Sequence, residues 1–150
     1  MTHHVSQSIK ATVSADKVWK VMDDFGGIQK YAPTIKESSI VGDKQTGLGA
    51  KRKVTFEHDG SSLVEEITQY DEGNGYKMQV SGVSSPLKSM NAEMWVESID
   101  AGSSEIFMSV SFETKMGPLG WVMGKVLMTP IMNGAVKKVL AGLSDYAQNT

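Results

Sequence analysis

The sequence contains no cysteine and only one arginine. Without cysteine there is no disulfide framework, no thiolate zinc site and no cysteine nucleophile. The lone arginine, Arg52, stands among fourteen lysines and seventeen Asp and Glu, for a formal net charge of −2. The basic footprint of a nucleic-acid-binding domain is therefore missing, and no nucleic-acid partner is expected. Only four prolines occur, no Pro/Gly/Ser linker divides the chain and no repeat recurs, so residues 1–150 are expected to form one domain. The longest apolar stretch, Leu119 to Met132, is interrupted by Lys125 and Pro130. It falls short of the roughly twenty apolar residues that cross a bilayer, which predicts a buried helix and no integral membrane segment. Met1 to Val13 alternates polar and apolar residues with no continuous apolar run of a secretory signal, so a cytoplasmic location is expected. A Gly-rich phosphate loop and a Gly-x-Ser-x-Gly elbow are also missing, and no cofactor is expected.

What remains is ordinary globular composition, with 40% apolar and 21% charged residues. A chain of this size can bury roughly 68–70% of its unfolded surface, enough for one sizeable core. Val5 to Thr12 reads as a strand. Ser14 is a helix N-cap with Asp16 in the first turn, and Val18, Trp19, Met22 and Phe25 form the apolar stripe that follows. Gly26-Gly27 ends that helix, and Ile28 to Ala32 forms a short helical turn stopped by Pro33. From Ile35 the period changes to two, predicting strands near 35–42, 49–58, 61–70, 75–83, 88–99 and 104–114. Helical periodicity returns from Pro118 to Ala147, with Val122, Val126, Met132, Val136, Val139, Leu140 and Leu143 assigned to one face and a break at Pro130. The fold class is α+β: a seven-stranded antiparallel sheet wrapped around a long C-terminal helix, with two short helices between strands 1 and 2.

This order resembles the helix-grip fold of the START-like superfamily, which includes the birch-pollen allergen, the abscisic-acid receptors and the bacterial polyketide cyclase/dehydratase (SRPBCC) branch. Its local marks are Ser14 through Val18-Trp19, Asp24-Phe25, Tyr31 and Pro33, Gly47-Leu48-Gly49 leading to Arg52, Glu65 through Tyr70-Asp71, and a closing helix ending in Leu143 and Tyr146. The resemblance spans nearly the whole chain and is closest to the bacterial branch. It implies a cavity between sheet and helix for an apolar or amphipathic molecule. It also implies a cavity rim made of the His58–Ser61 turn, the Gly82–Ser89 loop and the Met116–Gly120 entry to the last helix. Carriers, hormone receptors, aromatases and co-chaperones share this fold, so fold alone selects no activity.

Asp59-Gly60 is a two-residue hairpin signal, because both central positions of a type I′ turn need positive φ. Closing the hairpin there pairs Phe56 with Leu63, Val54 with Glu65 and Arg52 with Ile67, all on one face with His58. Lys53 then meets Glu66, and Lys51 meets Thr68, on the solvated face. Arg52 and Glu65 become diagonal neighbours in apolar surroundings, about 7–8 Å apart at Cα, and should pair with each other or with a ligand. Two readings follow: under the first, purely structural one, Arg52 runs out to the sheet edge or a bulge slips the register. Under the second, its planar fork takes a carboxylate or enolate oxygen while Glu65 orients it or accepts a proton. By the resemblance, Glu65 matches the pocket glutamate of the abscisic-acid receptors, whose pocket lysine has no counterpart here.

His58 is the one histidine outside the N-terminal tail and is either a general base or an exposed loop residue. His3 and His4 adjoin no carboxylate cluster, so no metal is expected. The candidate ligand-binding set is Arg52, Val54, Phe56, Leu63, Glu65, Ile67, Tyr76, Met78, Met94, Met108, Val110, Met123 and Val126. Methionine enters it because a flexible, polarizable side chain suits a surface that accepts apolar ligands of varied shape. Two functions compete with a protein-interaction module of filled cavity. One is binding of an apolar or amphipathic small molecule or lipid, as carrier or sensor. The other is a cyclase, dehydratase or isomerase acting on a polyketide-like carbonyl compound through Arg52, Glu65 and His58 or a pocket tyrosine.

Overall fold

The computed structural model describes residues 2–83, 87–115 and 117–150. Strand β1 (Thr2–Ala11) leads to α1 (Ala15–Asp23) and a 3-10 turn (Phe25–Lys30). Six strands follow: β2 (Ile35–Val41), β3 (Lys51–Phe56), β4 (Ser62–Asp71), β5 (Gly75–Ser81), β6 (Leu87–Asp100) and β7 (Ser103–Thr114). The chain then continues through α2 (Gly117–Met123), a π-helical turn (Gly124–Met128) and α3 (Thr129–Gln148). The strands form one antiparallel sheet, as expected, and their order in it is β1-β7-β6-β5-β4-β3-β2.

Local chemistry explains the first helix. Ser14 accepts a hydrogen bond from the Lys17 N–H, which satisfies one free donor of the opening turn, and Val18, Trp19 and Met22 bury the apolar stripe. Asp23 ties α1 to the sheet. Its Oδ1 accepts from the Tyr70 hydroxyl at 2.7 Å and from the Thr46 hydroxyl at 2.6 Å. Gly26 lets the 3-10 turn tuck against β2, since a Cβ there would sit 2.9 Å from Ile40 Cγ1.

Three expectations need correction. His3 and His4 belong to β1 and not to a loose tail; His3 is buried, stacked between Phe112 at 5.1 Å and Trp121 at 5.5 Å. The β3–β4 hairpin closes with a four-residue loop, Glu57 to Gly60, because the Phe56 N–H bonds the Ser61 carbonyl and the Gly60 N–H bonds the Phe56 carbonyl. Arg52 therefore pairs directly with Glu65 and Val54 with Leu63, while Lys51 meets Glu66 and Lys53 meets Val64. That slip of two residues leaves every side chain on its expected face.

The third correction concerns the long helix. Pro130, which has no N–H to donate, is seated in the first turn of α3, and the break it imposes takes the form of the π turn just ahead of it. The Thr129 N–H and hydroxyl both bond the Gly124 carbonyl. A π turn spends one extra residue, so on its N-terminal side the inward face falls on earlier positions than an uninterrupted helix would give. Val136, Val139, Leu140 and Leu143 are buried as expected, but Val122 and Val126 point to solvent, Val126 at 63% exposure. Gly120 and Gly124 occupy the inward positions instead.

Candidate functional site

Strands β3, β4 and β5 bring a polar cluster together in an otherwise apolar interior. Arg52 is 1% exposed, and each nitrogen of its side chain has a partner. Nε donates to Glu65 Oε1 at 2.8 Å, one Nη to the Phe25 carbonyl at 3.0 Å and the other to Met78 Sδ at 3.4 Å. The guanidinium also lies over the Phe25 ring, 4.0 Å from Cζ to the centroid, which suits a planar, weakly hydrated cation. Burial opposes its charge, yet Glu65 with Tyr76 and Tyr31 holds its pKa above the ordinary arginine value.

Two tyrosines complete the cluster. Tyr76 is fully buried between Trp19 and Phe25, and its hydroxyl makes only long contacts, to the Met22 carbonyl at 3.4 Å and to Met94 Sδ at 3.9 Å. The Tyr31 hydroxyl is buried and meets no partner in hydrogen-bonding geometry among the described residues, although Tyr76, Arg52 and Glu65 all lie near enough to affect its ionisation, Tyr76 nearly within hydrogen-bond reach. Burial first, and then Tyr76, pushes the Tyr31 pKa well above 10.0; burial raises Tyr76 as well. Both phenols therefore stay protonated at neutral pH and carry an O–H available to donate. Among the described residues, Glu65 Oε2 accepts no hydrogen bond.

Helix α3 positions Tyr31. Gly142 packs against the Tyr31 carbonyl, an approach only a residue without Cβ allows. Neither this contact nor the Phe25 carbonyl was legible in the sequence, because both arise where the 3-10 turn meets distant elements. The pattern marked Tyr31 only as one element of the family resemblance.

Most of the expected apolar lining faces the interior. Val54, Leu63, Ile67, Met78, Met94 and Val110 are buried with Tyr76, while Phe56 and Met108 are partly buried against the same core. Met123 is half-buried. Val126 leaves the set, because the π turn rotates it outward. His58 leaves the cluster too: the longer loop carries it out of the β3 ladder, with its side chain 74% exposed beside Asp59. At the sheet end where β3 stops and β6 begins, Phe56, Val83, Leu87 and Met90 are half-buried against the core, as are Met128 and Met132 near the start of the long helix. Arg52 lies four residues back from Phe56 along β3, a depth of roughly 13 Å. Of the expected rim, residues 84–86 and 116 lie outside the described residues. Two open surface grooves lie elsewhere. One, of about 420 Å³, crosses the outer sheet face near His4, Thr68, Lys77 and Glu93; the other, of about 330 Å³, lies between Lys17, Lys20 and Tyr146.

A sheet that grips a long helix over a buried arginine and two buried tyrosines, with a part-buried glutamate beside them in an otherwise apolar interior, defines a helix-grip protein. The family model described as polyketide cyclase/dehydrase and lipid transport matches residues 2–148, and the chain belongs to that family. At the level of sequence no curated protein matches. Among solved structures, Ara h 8.0201 is similar over 100% of both chains, with 24% identity and a TM-score of 0.71. The Zhui aromatase/cyclase from Streptomyces sp. R1128 is similar over 99% of this chain and 95% of its own, with 16% identity and a TM-score of 0.77. A Thalictrum flavum norcoclaurine synthase point mutant in complex with a transition-state analogue is similar over 99% and 96%, with 19% identity and a TM-score of 0.73. At these identities the likeness establishes the shared fold. Among the described residues no helix is long and apolar enough to cross a membrane.

Proposed function

We propose that the chain, acting as one domain in the cytoplasm, binds an amphipathic small molecule or lipid between the sheet and the long helix. Its polar end would rest at Tyr31, Tyr76, Arg52 and Glu65. The observation that carries this reading is the partnerless Tyr31 hydroxyl, since a buried donor left unmade costs about 1–3 kcal/mol and a ligand oxygen would remove that cost. The methionine-rich end near Met90, Met128 and Met132 would take the apolar portion, because thioether side chains repack around varied shapes.

A second reading, proton transfer on a bound carbonyl compound, draws on Glu65 Oε2 as acceptor and on the two phenols and Arg52 as donors to a developing oxyanion. Native mass spectrometry of the purified protein, followed by solvent extraction, tests the first reading. We expect a co-purified molecule with one oxygen-bearing end, held less by Tyr31→Phe than by the parent. A protein that retains nothing and shows no saturable uptake of fatty-acid probes would refute it. Conversion of an extracted carbonyl compound, lost in Glu65→Gln while binding persists, would favour the second.

A further inference from the structure

The face of the long helix that the π turn rotates outward carries Leu119, Val122, Val126, Leu127 and Ile131, each at least half exposed. Single exposed aliphatics are ordinary, but a contiguous patch along one helical segment marks a surface that something covers. The charge along this stretch of chain is one-sided. From Thr114 to Ser144 the sequence holds no Asp or Glu, whereas Lys115, Lys125, Lys137 and Lys138 all lie there, in a chain whose net charge is −2. Those four lysines are exposed, and Lys125 sits 5.3 Å from the centroid of the Trp121 ring.

We propose that this segment, Gly117 to Ile131, docks on an anionic lipid surface, lying in the plane of the headgroups with its aliphatic face in the acyl boundary. The chemistry separates this occupant from the others. The exposed residues are purely aliphatic, without the exposed Tyr, Trp or Arg anchors that dominate protein interface cores. A second copy paired face to face would bring lysines against lysines, with no acidic residue in the segment to answer them. An interfacial helix needs what is present: an apolar face flanked by long cations that reach phosphate and carboxylate headgroups.

The surface is also held in place. His3 stacks under Trp121, the Thr114 hydroxyl donates to the Gly120 carbonyl at 2.6 Å, and a Cβ at Gly124 would sit 2.6 Å from His3 Nε2. The helix is thus presented as a fixed face seated on β1 and β7. No residue of the interior cluster takes part in this surface, so docking is independent of any ligand held there.

Co-sedimentation with phosphatidylcholine vesicles, with and without phosphatidylserine, tests it. The intact protein should pellet with the phosphatidylserine-containing vesicles. The double substitution Val126→Asp/Ile131→Asp, at two exposed positions, should keep the circular dichroism spectrum and lower partitioning at least about tenfold. Lys125→Gln should weaken binding to anionic vesicles about fivefold and leave binding to neutral vesicles unchanged. Absence of pelleting with either vesicle, or pelleting indifferent to the double substitution, overturns the proposal. A dimer seen by size-exclusion chromatography that the double substitution dissociates would also overturn it, in favour of a second copy as occupant.

Discussion

Gly142 of α3 lies against the main-chain carbonyl of Tyr31 so closely that a Cβ would collide with that oxygen. Gly134, two turns earlier in the same helix, has open space where its Cβ would go. Helix propensity alone favours alanine over glycine by about 1 kcal/mol at either position. Gly134→Ala should therefore raise stability by about that amount. Gly142→Ala should lower it by about 2 kcal/mol, as α3 is pushed off the turn that carries Tyr31. Urea unfolding of the two variants side by side measures the contrast, and an equal gain in both would show that the helix seat is loose.

Arg52, on β3, reaches three other elements through one side chain, so its removal has two consequences. Arg52→Met leaves Glu65 without its cation and the Phe25 carbonyl without a donor, and should cost about 3–5 kcal/mol. Adding Glu65→Leu should restore much of that loss, because the stranded charge disappears with it. Midpoints of urea transitions with unchanged slopes report both values, and a single variant as stable as the parent would mean the pair is idle.

Tyr31→Phe removes a hydroxyl that has no partner while keeping the ring. Free protein should gain about 1 kcal/mol. Retention of a co-purified ligand should fall at the same time, so stability and binding should move in opposite directions.

Burial holds Tyr31 well above 10.0 and raises Tyr76, and burial with Asp23 pushes Tyr70 up to about 12. In the unfolded chain these phenols lose protons near 10, so above that pH the unfolded state binds fewer protons than the native one. Stability from these groups is complete below pH 10 and falls as pH rises towards the folded values. Alkaline titration should show tyrosinate absorbance rising together with loss of the circular dichroism signal. Smooth tyrosine ionisation in a protein that stays folded would contradict the buried placement of Tyr31 and Tyr76.

The sheet was legible because alternation is a local property: Val54, Leu63, Met78 and Met94 take their inward places from the side-chain period of two. Arg52 and Glu65 were found on one face for the same reason, even though the hairpin loop is two residues longer than Asp59-Gly60 suggests. An even slip preserves faces and changes only partners. His58 was misplaced because it belongs to that loop, where alternation no longer applies. Val126 was misplaced because periodicity counted back from Leu143 assumes 3.6 residues per turn throughout, and the π turn at Gly124 breaks that count. Tyr31 escaped the pattern because its place depends on Gly142, more than a hundred positions away.

The order β1-β7-β6-β5-β4-β3-β2 puts the first two strands of the sequence at opposite edges of the sheet. During synthesis the meander from β2 onward can pair strand by strand as it emerges, since consecutive strands are neighbours in the sheet. Strand β1 must wait for β7, its one neighbour; the Thr2 hydroxyl meets the Glu113 carboxylate across a separation of 111 residues. Closing so long a loop slows folding, and it leaves both the β1 edge and the apolar stripe of α1 unpaired until most of the chain exists. A nascent chain stalled before Ser103 would hold its N-terminal strand open to chaperones or to another copy, whereas release of β7 and α3 would complete the sheet and cover the core in one late step.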